Sequence, residues 1–389
     1  MEHFALGHKR PASNKTPRQI NRNLLFNLVR REQAISRVDL ARVSGLQGST
    51  VSLIVEELIA ERWLIEGSTT KTPRGRRPTF LQLNGSRAVV ALDIHPAQTT
   101  VAVAELGGRI VEQRLVEIPA NPRLAISAII VAIRSIIKQN PDKTFDGIGM
   151  SLPGRADPRL EKLIFAPNLH WPVLGIKSRI QKATGLPVEI ENVANACALS
   201  EVWFGDSDAM NDLVVVNVSE GIGTGIFANG RLLRGKDGMA GEFGHIEIEP
   251  GGALCGCGNH GCWEVTASNR AGLRYFHEAA PERKAASFDA MLRLARSGDP
   301  VAIAALEKMS CYLGRGLRMI VAALAPSEII LVGDITMVWD LVGPIIEKEV
   351  KRNAISKSPS IRPARDGNAA RLRSAVALVL NRNTVWTPQ

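Results

Sequence analysis

The sequence predicts a chain of two parts, a small helical head closed by a two-stranded β wing and a large α/β body, and three observations carry that division. Apolar residues recur at three- and four-residue steps between residues 19 and 61. Two short apolar runs then flank a polar, turn-rich stretch at 67–78, and beyond Asn84 apolar strands alternate with amphipathic helices. At 389 residues the chain exceeds what one hydrophobic core organises, so two or three domains are expected. Hydrophobic residues at 45% and charged residues at 22% exclude a disordered chain.

In the head, Ile20, Leu24, Leu25, Leu28 and Val29 put one buried stripe on a first helix over Gln19–Arg31. Ser36 stands where an N-cap belongs, with Asp39 three residues on, so a short second helix runs to Ser44 and ends at Gly45. A third helix over Gln47–Glu61 turns Val51, Ile54, Val55, Leu58 and Ile59 inward and leaves Gln47, Ser49, Thr50 and Ser52 near its exposed start. Trp63 to Ile65 begin a strand, and Phe80, Leu81 and Leu83 alternate back toward the core. This is the order of a winged helix-turn-helix. Its third helix would present those four polar side chains to base edges in a major groove. The wing tip Lys71-Thr-Pro-Arg74-Gly-Arg76-Arg77-Pro78 would set Arg74, Arg76 and Arg77 on phosphates or in a minor groove.

Charge supports that reading. Residues 1–87 carry fifteen Lys/Arg against seven Asp/Glu, a balance of +8, and the rest of the chain only +2. An uneven charge alone would be an ordinary solvated face, and one helix pair a plain helical hairpin. Three helices, a glycine turn, a wing and a basic balance together favour double-stranded DNA as partner. The segments are read as 1–16 a flexible tail, 17–83 the DNA-binding head and 84–389 the body. Met1–Arg10 holds no apolar run and Leu124–Ile133 is too short to span a bilayer, so a cytoplasmic protein with no membrane partner is expected.

In the body, Val89–Ile94, Thr100–Leu106 and Ile110–Ile118 read as a meander of strands, followed by a helix over Pro122–Gln139 and a strand over Ile148–Leu152. A helix over Ile176–Thr184, a strand over Val188–Glu191, a helix over Ala194–Phe204 and a strand over Leu213–Val218 follow. The most specific signal is His245 with Cys255, Cys257 and Cys262 in a glycine-rich loop. One imidazole and three thiolates make a closed tetrahedral Zn2+ set, so the ion is expected to be structural; His260, inside the loop, is a competing ligand.

Gly241-Glu242-Phe-Gly-His245 followed by Cys255-Gly-Cys257-Gly-Asn-His-Gly-Cys262-Trp-Glu264 resembles the signature of the ROK family of repressors, open reading frames and kinases. The resemblance spans nearly the whole chain, since the repressor branch also carries a winged helix. It implies a two-lobed actin-like sugar-kinase fold with ribonuclease H-like halves, and it assigns sugar hydroxyls to Asn192, Glu242, His245 and Glu264.

The kinase pattern breaks in three places. Kinases of the family place an aspartate, the general base, after that asparagine, and here the residue is Val193, which accepts no proton. Glu191 on the other side is expected to point to the opposite face of the strand. The phosphate hairpin Asp-x-Gly-Gly-Thr is replaced by Asp93-Ile-His-Pro-Ala97, and Val332-Gly333-Asp334 stands where consecutive glycines flank the adenosine. Only the loop Gly221-Ile-Gly-Thr-Gly225 survives. The expectation is a sugar-controlled transcriptional regulator of carbohydrate metabolism, a repressor, without enzymatic activity; the alternatives are a sugar kinase with a DNA-binding head and a constitutive DNA-binding protein with an empty pocket. A homodimer or homotetramer is expected because palindromic operators need paired heads, with the apolar stretch Pro300–Ala325 as either a candidate surface or core.

Overall fold

The computed structural model describes residues 15–67, 79–95, 98–157, 162–165, 169, 171–172, 175–205, 212–283, 285, 287–352, 358–365, 367 and 369–383. The chain divides into two compact units between Arg87 and Ala88, and the end of the last helix from Leu380 is grouped with the smaller one.

The smaller unit runs α1 (Lys15–Glu32), β1 (Ile35–Ser36), α2 (Arg37–Ser44), α3 (Gly48–Ala60), β2 (Leu64–Glu66) and β3 (Phe80–Leu83). α1 begins two residues inside the stretch expected to be a tail. The expected two-stranded wing is a three-stranded antiparallel sheet of order β1-β3-β2, with Ile35 opposite Leu81 and Leu64 opposite Leu83. Two residues are too few for strand periodicity to announce β1. Ser36 caps α2 by accepting the Asp39 N–H at 3.2 Å, and Gly45 ends it in the left-handed region at φ 70°. Phe26 meets the edge of Trp63 at 5.6 Å over a core that includes Leu25, Leu40, Val55, Leu58 and Leu81.

The larger unit begins with β4 (Arg87–Ile94), β5 (Gln98–Glu105), β6 (Ile110–Glu117), α4 (Pro122–Gln139) and β7 (Thr144–Leu152). After the hairpin β8 (Arg155–Asp157) and β9 (Lys162–Phe165) come α5 (Ile176–Thr184), β10 (Val188–Asn192) and α6 (Val193–Phe204). The second half runs β11 (Leu213–Val218), β12 (Ile222–Ala228), β13 (Arg231–Leu232), α7 (Trp263–Ala267), α8 (Asn269–Ala279) and α9 (Phe288–Arg296). It ends with α10 (Pro300–Leu324), β14 (Glu328–Val332), α11 (Trp339–Lys351), β15 (Ser360–Pro363) and α12 (Ala369–Asn383).

Two five-stranded sheets result, β10-β7-β4-β5-β6 and β15-β14-β11-β12-β13. Each has the same plan, an antiparallel meander of three strands whose first strand is flanked by two more. The two flanking strands pair in parallel in both, β7 with β10 and β14 with β15. α4 and α5 cover one face of the first sheet through Ile126, Ile129, Ile133 and Ile180. α12 lies so close to β7 that a Cβ on Gly149 would sit 1.8 Å from the Ala375 carbonyl oxygen, which only glycine permits.

α7 to α11 build the core of the second half. α10 is its central helix, with Leu306, Met309, Leu313, Leu317 and Ile320 fully buried. The apolar surface expected on Pro300–Ala325 for self-association is therefore core. Packing against α8 and α11 consumes the stripe that a sequence reading could equally assign to a partner. No helix among the described residues is long and apolar enough to cross a membrane.

Candidate functional site

On the smaller unit, the inward stripe Val51, Ile54, Val55 and Leu58 leaves Ser49, Leu53 and Glu56 exposed along the opposite side of α3. Gln47 is exposed at the N-cap position with no side-chain capping bond, and Thr50 and Ser52 are half-buried at the rim. Leu53, 52% exposed between Ser49 and Glu56, is a residue the sequence reading passed over, although the i, i+4 spacing from Ser49 would have found it. Arg74, Arg76 and Arg77 lie outside the described residues, as do Pro96 and Ala97 of the phosphate hairpin.

In the larger unit, the C-terminal ends of β4, β7, β10 and β11 converge on a cavity of about 350 Å³. That is where open α/β sheets place ligands. The sequence-predicted residues Asn192, Glu242, His245 and Glu264 all line it. Asn192 ends β10 and caps α6, its Oδ1 accepting the Ala194 N–H at 2.8 Å while its Nδ2 donates to the Gly154 carbonyl at 2.8 Å. The second Nδ2 proton remains for a ligand. Glu264, on α7, accepts the Ile222 N–H at 3.1 Å, and burial raises its carboxyl above the usual range. α7 is anchored by the fully buried Trp263, whose Nε1 donates to the Tyr312 carbonyl on α10 at 3.1 Å.

His245, at the end of the 3-10 turn Glu242–His245, gathers with Cys255, Cys257 and Cys262 so that one ligand atom from each lies within 4.8 Å of all the others. Cys257 Sγ is 3.7 Å from Cys262 Sγ, and Cys255 Sγ is 3.5 Å from His245 Nδ1. A tetrahedral zinc with bonds of about 2.3 Å to sulfur and about 2.0 Å to nitrogen requires edges of about 3.8 and 3.5 Å, which these two distances match. They could hold a metal ion. His260 stays outside the group, its Nδ1 3.1 Å from the Gly252 carbonyl. With Nδ1 turned to the cysteines, Nε2 of His245 sits 3.6 Å from Glu242 Oε2 on the cavity side.

Val193 also lines the cavity and is buried, so the position after Asn192 presents only methyl groups there. Glu191 lines the same cavity, against the expectation that it would face away. The strand ends at Asn192 and Val193 starts a helix, so two-residue alternation does not carry across the junction. Its carboxylate is engaged: it accepts from Arg234 Nε at 3.0 Å, from the Asn192 N–H at 3.0 Å and from Asn195 Nδ2 at 3.3 Å.

Asp93, the aspartate of the altered hairpin, is buried against Arg371 of α12. Arg371 Nη2 donates to Asp93 Oδ1 at 3.1 Å, His95 Nε2 lies 3.2 Å from Oδ2, and Ser151 Oγ donates to Oδ1 at 3.3 Å. Burial alone would raise this carboxyl; the Arg371 guanidinium and His95 outweigh it and hold the group at about 2. No sequence signal marks a partner 278 positions away.

A description of the ROK family matches residues 89–382. The chain belongs to the ROK family. The xylose repressor of Bacillus subtilis is 33% identical over 344 residues, 87% of this chain and 88% of that protein, and the chain falls with this repressor branch. A solved ROK family transcriptional regulator, homolog of the E. coli MLC protein, is 26% identical with TM-score 0.76 over 95% of this chain and 99% of its own. A ROK family glucokinase from Streptomyces griseus, solved with glucose and AMPPNP, is 31% identical with TM-score 0.69 over 75% of this chain and 98% of its own. A match over 95% of the chain takes in most of the 87 residues before the larger unit.

Proposed function

We propose that this chain is a DNA-binding transcriptional repressor of carbohydrate metabolism, controlled by a sugar bound in a kinase-like domain that transfers no phosphoryl group. The observation that carries the reading is Val193: the cavity keeps its hydroxyl-binding groups and has a methyl surface where a sugar hydroxyl must lose its proton. Glu191 is a poor substitute, because Arg234 and two N–H donors hold its carboxylate. The likeness to the glucokinase favours a kinase as the second reading, and the occupied Asp93 counts against that as well.

The head is read as a winged helix-turn-helix of residues 17–83, with the body following from residue 84. Gln47, Ser49, Thr50 and Ser52 meet base edges, and Arg74, Arg76 and Arg77 grip phosphates or a minor groove. Asn192, Glu242, His245 and Glu264 hold the sugar, with Asn192 donating its second amide proton. His245, Cys255, Cys257 and Cys262 would hold Zn2+, which would supply structural rigidity and fix the imidazole ring with Nε2 toward the sugar. A palindromic operator requires two heads, so the working unit is a dimer or larger.

The test uses the zinc-loaded full chain, an operator duplex selected from random DNA, and a panel of aldoses and amino sugars, with ATP turnover followed in the same samples. Sugar-dependent change in operator affinity without turnover is expected. Turnover would overturn the argument from Val193, and an unchanged operator affinity in the Arg74→Ala/Arg76→Ala/Arg77→Ala variant would overturn the wing assignment.

A further inference from the structure

We infer that the end of the cavity beside the Gly221–Thr224 loop is a second hydroxyl-binding subsite, so that the ligand is a neutral carbohydrate of at least two sugar units. The inference rests on the sugar-binding reading of Asn192, Glu242, His245 and Glu264.

Size is the first argument. The cavity of about 350 Å³ is roughly twice what one hexose fills at protein packing density, and Asn195 and Asn217 line it together with the four sugar-assigned residues.

Hydrogen-bonding character is the second. Asn195 and Asn217 are 6% and 4% exposed, and the Oδ1 of each has no donor. For Asn195 the orientation is determined by its neighbour: Nδ2 must face the Glu191 carboxylate, to which it donates at 3.3 Å, so the orphan is an acceptor. Buried acceptors without donors are rare in folded proteins and point to a missing partner.

A phosphate matches these acceptors poorly. Ionised phosphate oxygens only accept, and here they would meet the amide oxygens of Asn195 and Asn217. Two N–H groups of the loop are already engaged, that of Ile222 with Glu264 at 3.1 Å and that of Ser219 with the Gly221 carbonyl at 2.9 Å. The Arg371 guanidinium, which also lines the cavity, donates through Nε and Nη2 to Asp93. Sugar hydroxyls, which donate as well as accept, match the surface.

The experiment is calorimetric titration of the zinc-loaded full chain with glucose, xylose and N-acetylglucosamine, with the β-1,4-linked disaccharide of each, and with glucose 6-phosphate and ATP. One disaccharide is expected to bind at least tenfold more tightly than its own monosaccharide, and ATP not to bind. In Asn195→Leu and Asn217→Leu that tenfold advantage disappears while monosaccharide affinity stays within threefold of wild type. Thermal melts of unliganded Asn217→Leu are expected at or above the wild-type temperature, because a buried acceptor without a donor is removed. Asn217→Ser keeps an interior hydroxyl should the leucine variant fail to fold. Monosaccharides that bind as tightly as every disaccharide, or glucose 6-phosphate that binds tighter than both, would overturn the second subsite and leave the sugar reading intact. Binding by no sugar would overturn both.

Discussion

Replacing Arg371 with methionine removes the guanidinium from a carboxylate that is only 8% exposed and leaves Asp93 with His95 and Ser151. The pair holds Asp93 at about 2 against an ordinary 3.8, and a difference of nearly two units corresponds to about 2.5 kcal/mol of native-state stability at neutral pH. Deleting one partner of a buried pair also leaves the other charge desolvated, which raises the expected loss to about 3–5 kcal/mol. For a unit of this size that is a fall of about 5–8 °C in the melting temperature of the larger unit. The pH dependence carries the diagnosis. In the wild type the carboxyl is depressed, so its contribution is complete above the unfolded value and is lost as pH falls from about 4 toward 2. In Arg371→Met burial dominates and raises the carboxyl, so the variant loses stability as pH rises past 4. The gap between the two proteins should be widest near pH 7 and should narrow toward pH 4, measured by calorimetry or near-ultraviolet circular dichroism in matched zinc-containing buffers. A variant that melts within 1 °C of wild type at pH 7, or a gap that does not narrow on acidification, would refute the reasoning.

Three further outcomes are expected. Cys255→Ser should reduce bound zinc well below about one equivalent by elemental analysis and lower the melting temperature, since a three-ligand set no longer closes the tetrahedron; full zinc content would show that the ion sits elsewhere. Gly316→Ala should destabilise the larger unit by about 1–3 kcal/mol or more, because its Cβ would lie 1.9 Å from the Trp263 ring, and an unchanged denaturation midpoint would contradict that packing. Leu53→Ala should weaken operator binding about tenfold if Leu53 meets a thymine methyl group, and replacing that thymine by uracil should weaken the wild type equally while leaving the variant unaffected. A wild type indifferent to uracil at every operator position would remove Leu53 from the base-reading face.

Local signals were legible and the distant pairings were not. Ser36 and Gly45 bracket α2, Pro122 starts α4 and Pro300 starts α10, as the sequence predicts, because caps and helix periodicity involve residues at most four apart. The His245, Cys255, Cys257 and Cys262 set was readable for a similar reason: few chemistries need one imidazole and three thiols inside eighteen residues. β1 escaped because two residues show no alternation, and Leu53 because an apolar residue on a helix is read as core until its neighbours claim the inward face.

By itself, then, the sequence determined the caps of α2 and the starts of α4 and α10, which groups can meet a cation, and that Val193 offers no base, since each follows from side-chain chemistry and near-neighbour geometry. Only the tertiary structure decided that the two sheets share one strand order, that α10 is core, that Glu191 reaches the cavity beside Val193, and that Arg371 neutralises Asp93. Those are long-range pairings, and a chain encodes them in the sum of its packing and burial, where no single stretch of residues carries the signal.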